Sequence, residues 1–386
     1  MNSENRRKNA NKLNILFVID GYYPSLGGAE KQAQLLSNAL YKAGHHIHVI
    51  TPQLDKSKPI NEVMDGIHIE RIPFPRIKII GALILLLRFA IKILKDGNNY
   101  DAIHVHMVKN LAAMIGLLKP FLKPKVIAKV SGAWEFDGGV LDEKLSSRPI
   151  NIFKNKLIKR IDYLQAISKF TMARLQAAGY PGNKIKMIPN AIDTRKFKNS
   201  NHRNNLQQLH VVYTGRLRHV KGVDILIKAW AKVCDELKSD KPVLLIAGDG
   251  SQKEEIESLI DKLNLNDNVQ LLGVVSDIPK ILDQSNLYVQ PSRQEGLSNS
   301  VLEAMSAGLP IIATRVSGNE DIIRDGENGI LVEPENPGEL ANAIIQLLID
   351  ADMRKQMGKC SRKIVEHDYE LDIVLQHLTT AYQGGL

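Results

Sequence analysis

Aromatic residues are scarce in this chain of 386 residues, at 5%, and no basic stretch is interleaved with them. That argues against a platform on which nucleic-acid bases stack, so nucleic acid is not an expected partner. Cysteine is nearly absent: Cys234 and Cys360 have neither metal nor redox spacing and fit a reducing compartment. The opening MNSENRRKNANK lacks an apolar signal core, which points to a protein that stays in the cytoplasm. Long hydrophobic runs are missing too. The strongest, 79-IIGALILLL-87, falls well short of the roughly 20 apolar residues of a membrane span. No metal-ligand cluster and no Asp-x-Asp occupies a suitable loop, so neither a metal nor a cofactor is expected.

What is present is an ordinary globular balance, 44% hydrophobic and 24% charged residues, in a chain long for a single core. Two domains are the expectation. The formal charge of +9 suits anionic lipid or phosphorylated ligands as well as nucleic acid, and does not choose among them. Arg76, Lys78, Arg88, Lys92 and Lys95 flank or punctuate the apolar run at 79–87. The plainest reading is a buried crossover helix; the alternative is a helix lying on an anionic membrane surface.

Short β-rich apolar runs alternate with helical periods from end to end, the pattern of parallel sheets with crossover helices. Strands are expected at 13–19, 47–51, 102–106, 125–130, 163–167 and 185–188 in the first half. In the second half they fall at 209–213, 243–247, 269–272, 287–290, 310–313 and 329–332. Each half reads as a doubly wound α/β domain, with the break in 189-PNAIDTRKFKNSNHRNN-205, where no apolar period survives. The expected division is 1–190, 191–369, and a last helix at 370–386 that packs back toward the first domain. Open sheets of this kind bind ligands outside the carboxyl ends of their strands, so loops that follow strands carry the candidates.

Three such loops stand out. In the first, Gly27-Gly28 opens a helix, where glycine lets backbone approach a ligand and helix N–H groups can face a phosphate. In the second, 214-TGRLRHVKGVD-224, Arg216 and Lys221 precede a helix and suit a diphosphate. The third is 292-SRQEGLSNSVLEAMSAGLP-310, where Glu295 and Glu303 bracket a glycine-led helix start. Amides at Gly296, Leu297 and Ser298 suit a phosphate, and a carboxylate two turns on suits a ribose diol. Singly, each loop is ordinary.

Jointly they are not. YYPSLGGAE, DAIHVH, AISKFTMARL, IPNAID, TGRLRHVKGVD, LIAGDG and EGLSNSVLEAMSAGLPIIAT follow one another over nearly the whole chain. In order and spacing they resemble the retaining, nucleotide-sugar-dependent glycosyltransferases of family 4, group 1. The resemblance implies the GT-B fold, with two Rossmann-like domains facing across a cleft, an acceptor-binding first domain and a donor-binding second. It implies that Arg216 and Lys221 bind the donor diphosphate and that Glu303 holds the ribose hydroxyls. Glu295 then touches the transferred sugar, and Gly296, Leu297 and Ser298 contact sugar and phosphate. Gly27 and Gly28 approach the diphosphate from the first domain, and the loop with Gly273 and Val274 meets the base. Catalysis would fall to Glu295, Arg216 and Lys221, with the leaving phosphate taking the acceptor proton and no metal needed.

Two positions depart from the family pattern. Ser131 stands where many members carry a histidine, which removes the usual imidazole from the acceptor side. His104 and His106 lie one strand earlier; packing at a strand end is the simpler role for both, and His106 and Ser131 are the acceptor-side candidates. Pro189-Asn190-Ala191 replaces Pro-Asn-Gly. The leading expectation is transfer from a UDP-sugar to a lipid-linked acceptor in cell-surface polysaccharide or glycolipid synthesis. The protein would then work on the inner face of the membrane, as a peripheral partner of its surface. The alternatives are a small soluble acceptor, such as a sugar phosphate or hydroxy acid, and a non-catalytic subunit that only binds sugar nucleotide. Joint retention of Arg216, Lys221, Glu295 and Glu303 argues against the non-catalytic reading. Phosphorylase activity would need a pyridoxal-binding lysine context that is missing, and an epimerase would need no acceptor.

Overall fold

The computed structural model describes residues 12–24, 27–132, 135–136, 139–142, 149–197, 208–238 and 242–385. The polar opening at 1–11, Ser25 and Leu26 of the first glycine loop, and 198–207 of the expected linker lie outside the described residues. The chain divides into two units: unit 1 is Met1–Ala191 with Val374–Leu386, and unit 2 is Ile192–Ile373.

Unit 1 is built on an eight-stranded sheet. Its strands are β1 (Asn14–Ile19), β2 (His46–Pro52), β3 (Asn61–Met64), β4 (Ile67–Ile72), β5 (Ala102–His106), β6 (Lys125–Lys129), β7 (Tyr163–Ala166) and β8 (Ile185–Met187). They lie in the order β3-β4-β2-β1-β5-β6-β7-β8. All pairings are parallel except β3 with β4. That hairpin is absent from the strands expected above. Its signal is local: Asp65-Gly66, both at positive φ (51° and 82°), joins two short runs in a two-residue turn that suits the strand twist.

On one face of this sheet, Leu16, Val18, Ile103, Val105, Val126 and Ala128 pack with residues of α2 (Lys78–Asp96), α3 (Asn110–Leu118) and α4 (Pro149–Ile158). The segment read as a buried crossover helix is only partly that. Within α2, Gly81, Phe89 and Ile93 are buried, while Ile80, Leu83, Leu87, Ile91 and Leu94 are each about half or more exposed. The helix therefore has an inner apolar face that meets the core and an outer one at helical spacing that meets solvent. No helix among the described residues is long and apolar enough to cross a membrane.

Unit 2 carries β9 (His210–Thr214), β10 (Val243–Ala247), β11 (Val269–Gly273), β12 (Leu287–Gln290), β13 (Ile311–Thr314) and β14 (Gly329–Val332). Their order is β11-β10-β9-β12-β13-β14, with every pairing parallel. Helices α6 (Val223–Glu236), α9 (Asn299–Ser306) and α11 (Pro337–Ile349) are among its crossovers. The inner strands β10, β9, β12 and β13 are largely apolar because both faces are covered, whereas edge strand β11 exposes Gln270 and Leu272; Trp230, Tyr213 and Tyr288 are fully buried. The chain runs outward from β9 on one side, then returns to start again at β12 on the other. The direction of winding thus reverses between β9 and β12, and at such a point loops on either side splay apart to leave a crevice.

Candidate functional site

Both candidate loops of unit 2 leave the sheet at this reversal. Arg216 and Lys221 follow β9, and Glu295 and Glu303 follow β12. Glu295 is buried at 7% exposure, and three donors converge on its Oε1. Lys221 Nζ lies at 2.5 Å, Gln290 Nε2 at 2.8 Å and Ser292 Oγ at 2.9 Å. Gln290 Nε2 also donates to Ser292 Oγ at 2.7 Å, and Tyr288 donates from beneath to Gln290 Oε1 at 2.8 Å. A charge taken this far from water is held only if it is bonded and paired, and here it is both. Burial, with Glu303 and Glu295 nearby, pushes the Tyr288 phenol well above its usual range, so Tyr288 acts only as a neutral donor.

The two loops are packed on one another. Gly222 sits in the left-handed region (φ 66°), and a Cβ there would come 2.0 Å from the Pro291 carbonyl oxygen. Arg293 N donates to Val220 O at 2.9 Å. Its guanidinium donates to His219 O at 2.7 Å and makes a two-pronged pair with Asp224 at 2.7 and 2.8 Å. Its remaining edge meets Glu335, 3.2 Å from Nη2 to Oε2. Paired carboxylates hold the Arg293 pKa above even the usual guanidinium value. Arg216, by contrast, is exposed and makes no ion pair among the described residues.

Helix α9 starts with Ser298 as its cap, the Oγ accepting from Val301 N. The Gly296 and Ser298 N–H groups have no acceptor among the described residues. Close packing fixes the turn: a Cβ on Gly318 would lie 1.8 Å from the Gly296 carbonyl oxygen. Glu303 is half-buried in the second turn of α9. Gly273 (φ 64°) ends β11, and Val274 beside it is 65% exposed. That loop is two strands from β9, about 10 Å across the sheet.

In unit 1 the candidates gather at the carboxyl edge in a different chemical state. His106 is in register with Ile19 of β1 and Lys129 of β6. His104, His106, Lys129 and Glu135 are all buried. Burial, reinforced by Lys129, pushes His104 down to about 3, and burial beside His104 and Lys129 keeps His106 well below its usual range. Burial likewise lowers Lys129 to about 7 and raises Glu135 to about 7. His104 binds Tyr382 at 2.7 Å and Gln165 at 3.1 Å. Both ring nitrogens of His106, Lys129 Nζ and Ser131 Oγ have no partner among the described residues. Glu135 accepts from Val108 N (2.6 Å), Ser131 N (2.5 Å) and Gly132 N (3.0 Å), holding the Ser131 turn to the end of β5. Gly27 caps α1 (Gly28–Lys42).

Sequence reasoning passed over Gln290, Ser292, Arg293 and Asp224. Polar residues closing an apolar strand, as in 287-LYVQPS-292, were the signal for the first two. It also passed over the cavity of about 550 Å³ in unit 1, lined by His46, His48, His68, Glu70 and Tyr100 among others. That cavity lies toward the starts of β1 and β2, at the opposite strand ends from the candidate residues. No group of three or more His, Cys, Asp or Glu among the described residues could hold a metal ion.

The fold and the unit 2 constellation define a doubly wound α/β protein that gathers polar side chains at its winding reversal. Residues 194–364 match the family described as glycosyl transferases group 1, and residues 26–196 match glycosyltransferase family 4. The chain belongs to the group 1 glycosyltransferases and has the GT-B fold. It is 27% identical over 379 residues to the N-acetyl-alpha-D-glucosaminyl L-malate synthase of Bacillus anthracis, covering 94% of this chain and 96% of that one. It is 26% identical over 351 residues to a phosphatidylinositol N-acetylglucosaminyltransferase chain of Arabidopsis thaliana, covering 86% and 74%. The structure resembles Anabaena HepE in complex with UDP, with TM-score 0.78, 20% identity, and 96% and 100% covered.

Proposed function

We propose that this glycosyltransferase moves a sugar from a UDP-sugar to a lipid-linked acceptor with retention of anomeric configuration and without a metal. The observation that carries the donor half is the Lys221–Glu295 pair, wired to Gln290 and Ser292 at the carboxyl ends of β9 and β12. A nucleotide laid along these strand ends would meet Gly273 and Val274 with its base and Glu303 with its ribose. Its diphosphate would meet Arg216, Lys221 and the amides of Gly296 to Ser298, and its sugar would meet Glu295. HepE, a protein of the same fold, binds UDP. In the reaction the anomeric carbon–phosphate bond breaks as the acceptor oxygen bonds to the same face. The acceptor proton passes to the leaving phosphate oxygen, whose charge Arg216 and Lys221 stabilise.

The acceptor half rests on α2. Its outer face offers Ile80, Leu83, Leu87, Ile91 and Leu94, bordered by exposed Lys78, Arg88 and Lys95. Apolar side chains seated at a headgroup boundary, with cations each worth about 1 kcal/mol near an anionic surface, give weak, salt-sensitive docking. Arg76 donates to Gln53 O at 3.0 Å and also to Leu54 O. Lys78 and Lys95 are therefore cleaner to reverse. The test is a donor screen by turnover, joined to flotation with phosphatidylcholine vesicles with and without phosphatidylglycerol. Binding to the anionic vesicles at low salt, lost at high salt and in Lys78→Glu/Lys95→Glu, is expected. Indifference to both vesicles removes the membrane half.

A second reading, a small soluble hydroxy-acid acceptor, is favoured by the near-complete overlap with the malate synthase. It predicts full turnover with such an acid and no vesicle dependence.

A further inference from the structure

Arg293 touches neither of the two glutamates nor Arg216, yet it holds the loop that carries Lys221. Its backbone N–H and its guanidinium fix the Val220 and His219 carbonyls, the two residues just before Lys221. The same guanidinium grips Asp224 with both oxygens, three residues beyond Lys221 and inside α6. Lys221 is thus bracketed on both sides by one side chain. That side chain belongs to the β12 loop, two residues before Glu295. Glu335 closes the third edge from a backbone at φ 59°, unusual for a residue with a side chain. Arg293 is 17% exposed, so these charge-assisted bonds are largely shielded from water. A planar fork with donors on three edges is what this geometry uses, and lysine offers no equivalent.

We infer that Arg293 is a positioning residue for the diphosphate end of the donor site, setting Lys221 where it can serve both Glu295 and a phosphate. The inference rests on the proposed donor reading. Its particular consequence is selectivity within the nucleotide. Gly273, Val274 and Glu303, the proposed base and ribose contacts, lie on segments that Arg293 does not bond. Loss of Arg293 should therefore weaken ligands in proportion to their phosphates and leave the nucleoside alone.

The experiment compares UDP and uridine binding in wild type, Arg293→Met, Arg293→Lys, Lys221→Ala and the Arg293→Met/Lys221→Ala double variant, with melting midpoints alongside. Arg293→Met is expected to reduce the UDP-over-uridine preference about 10- to 100-fold, as loss of a charge-assisted contact does. Uridine affinity stays within about twofold, inside measurement scatter for a factor worth well under 1 kcal/mol. Arg293→Lys recovers part of the preference. The double variant is no worse than Lys221→Ala, because both changes remove one function. Equal weakening of UDP and uridine in Arg293→Met means a general folding role and overturns the inference. So does an unchanged preference in Arg293→Met when Lys221→Ala loses it. If Lys221→Ala itself keeps the full preference, the donor reading fails instead.

Discussion

The two sheets are wound alike but surround their polar side chains differently. At the winding reversal of unit 2, Glu295 is bonded to a lysine, an amide and a hydroxyl, and Arg216 stands in solvent. At the carboxyl edge of unit 1, His104 and His106 are held neutral, and Lys129 and Glu135 are both moved to about 7 by burial. The first arrangement suits a ligand that brings charge. The second leaves both His106 ring nitrogens, Lys129 Nζ and Ser131 Oγ buried without a partner among the described residues. The surfaces differ too. Unit 1 presents the apolar outer face of α2, whereas the large apolar side chains exposed by unit 2, among the described residues, are Leu272, Val274 and Ile349.

The largest effect expected from breaking this contrast is on the charged side. Lys221→Ala should weaken UDP about 10- to 100-fold, as loss of a charge-assisted bond implies, with a smaller loss for exposed Arg216→Ala. Calorimetric titration checks both, and equal UDP affinity in all three proteins would take the cations out of the donor site. The same titration on His106→Leu should give the wild-type value, since that residue is not among the proposed donor contacts.

Next in size is an effect of pH on unit 1. An imidazole whose folded pKa is depressed contributes stability above its unfolded value near 6.5 and loses it as pH falls toward the folded value. For His106, held neutral by burial beside His104 and Lys129, stability should therefore fall as the pH drops below about 6.5. Glu135, raised to about 7, works the other way over the same range, so the wild-type curve alone is ambiguous. The variant isolates the term. His106→Leu, which removes two unpartnered ring nitrogens, should be at least as stable at pH 7.5 and should lose less stability than wild type on acidification. Parallel pH profiles for the two proteins, by chemical denaturation, would show that His106 is not held neutral. The smallest effect is none at all: turnover should persist in excess chelator, and loss restored by magnesium or manganese would contradict charge neutralisation by Arg216 and Lys221.

Much of this architecture is legible in the sequence because parallel strands buried on both faces leave unbroken apolar runs. Every expected strand has its counterpart within a residue or two at each end. The β3–β4 hairpin escaped because Asn61–Met64 is half polar, and only the Asp65-Gly66 pair announces it. The outer face of α2 was ambiguous for a simpler reason. A run such as 79–87 is apolar on every side, and only the fold tells which side meets the core. The loops that carry the candidates Arg216, Lys221, Glu295 and Glu303 were legible, because each follows a strand of unit 2. Gln290 and Ser292 bond Glu295 from only five and three positions away, but whether their side chains converge depends on the turn, and Arg293 acts through residues 69 to 74 positions away. No periodicity records such a contact.

The account turns on two carboxylates of unit 2 having different work, and steady-state kinetics of Glu295→Gln beside Glu303→Gln tests that most directly. Glu295→Gln should turn over about 100-fold more slowly or worse, with UDP affinity within about threefold, as expected for a contact that matters in the transition state. Glu303→Gln should bind UDP about tenfold more weakly while keeping most of its turnover at saturating donor. Equal loss of UDP binding in both variants, with no loss of rate in either, would contradict the account.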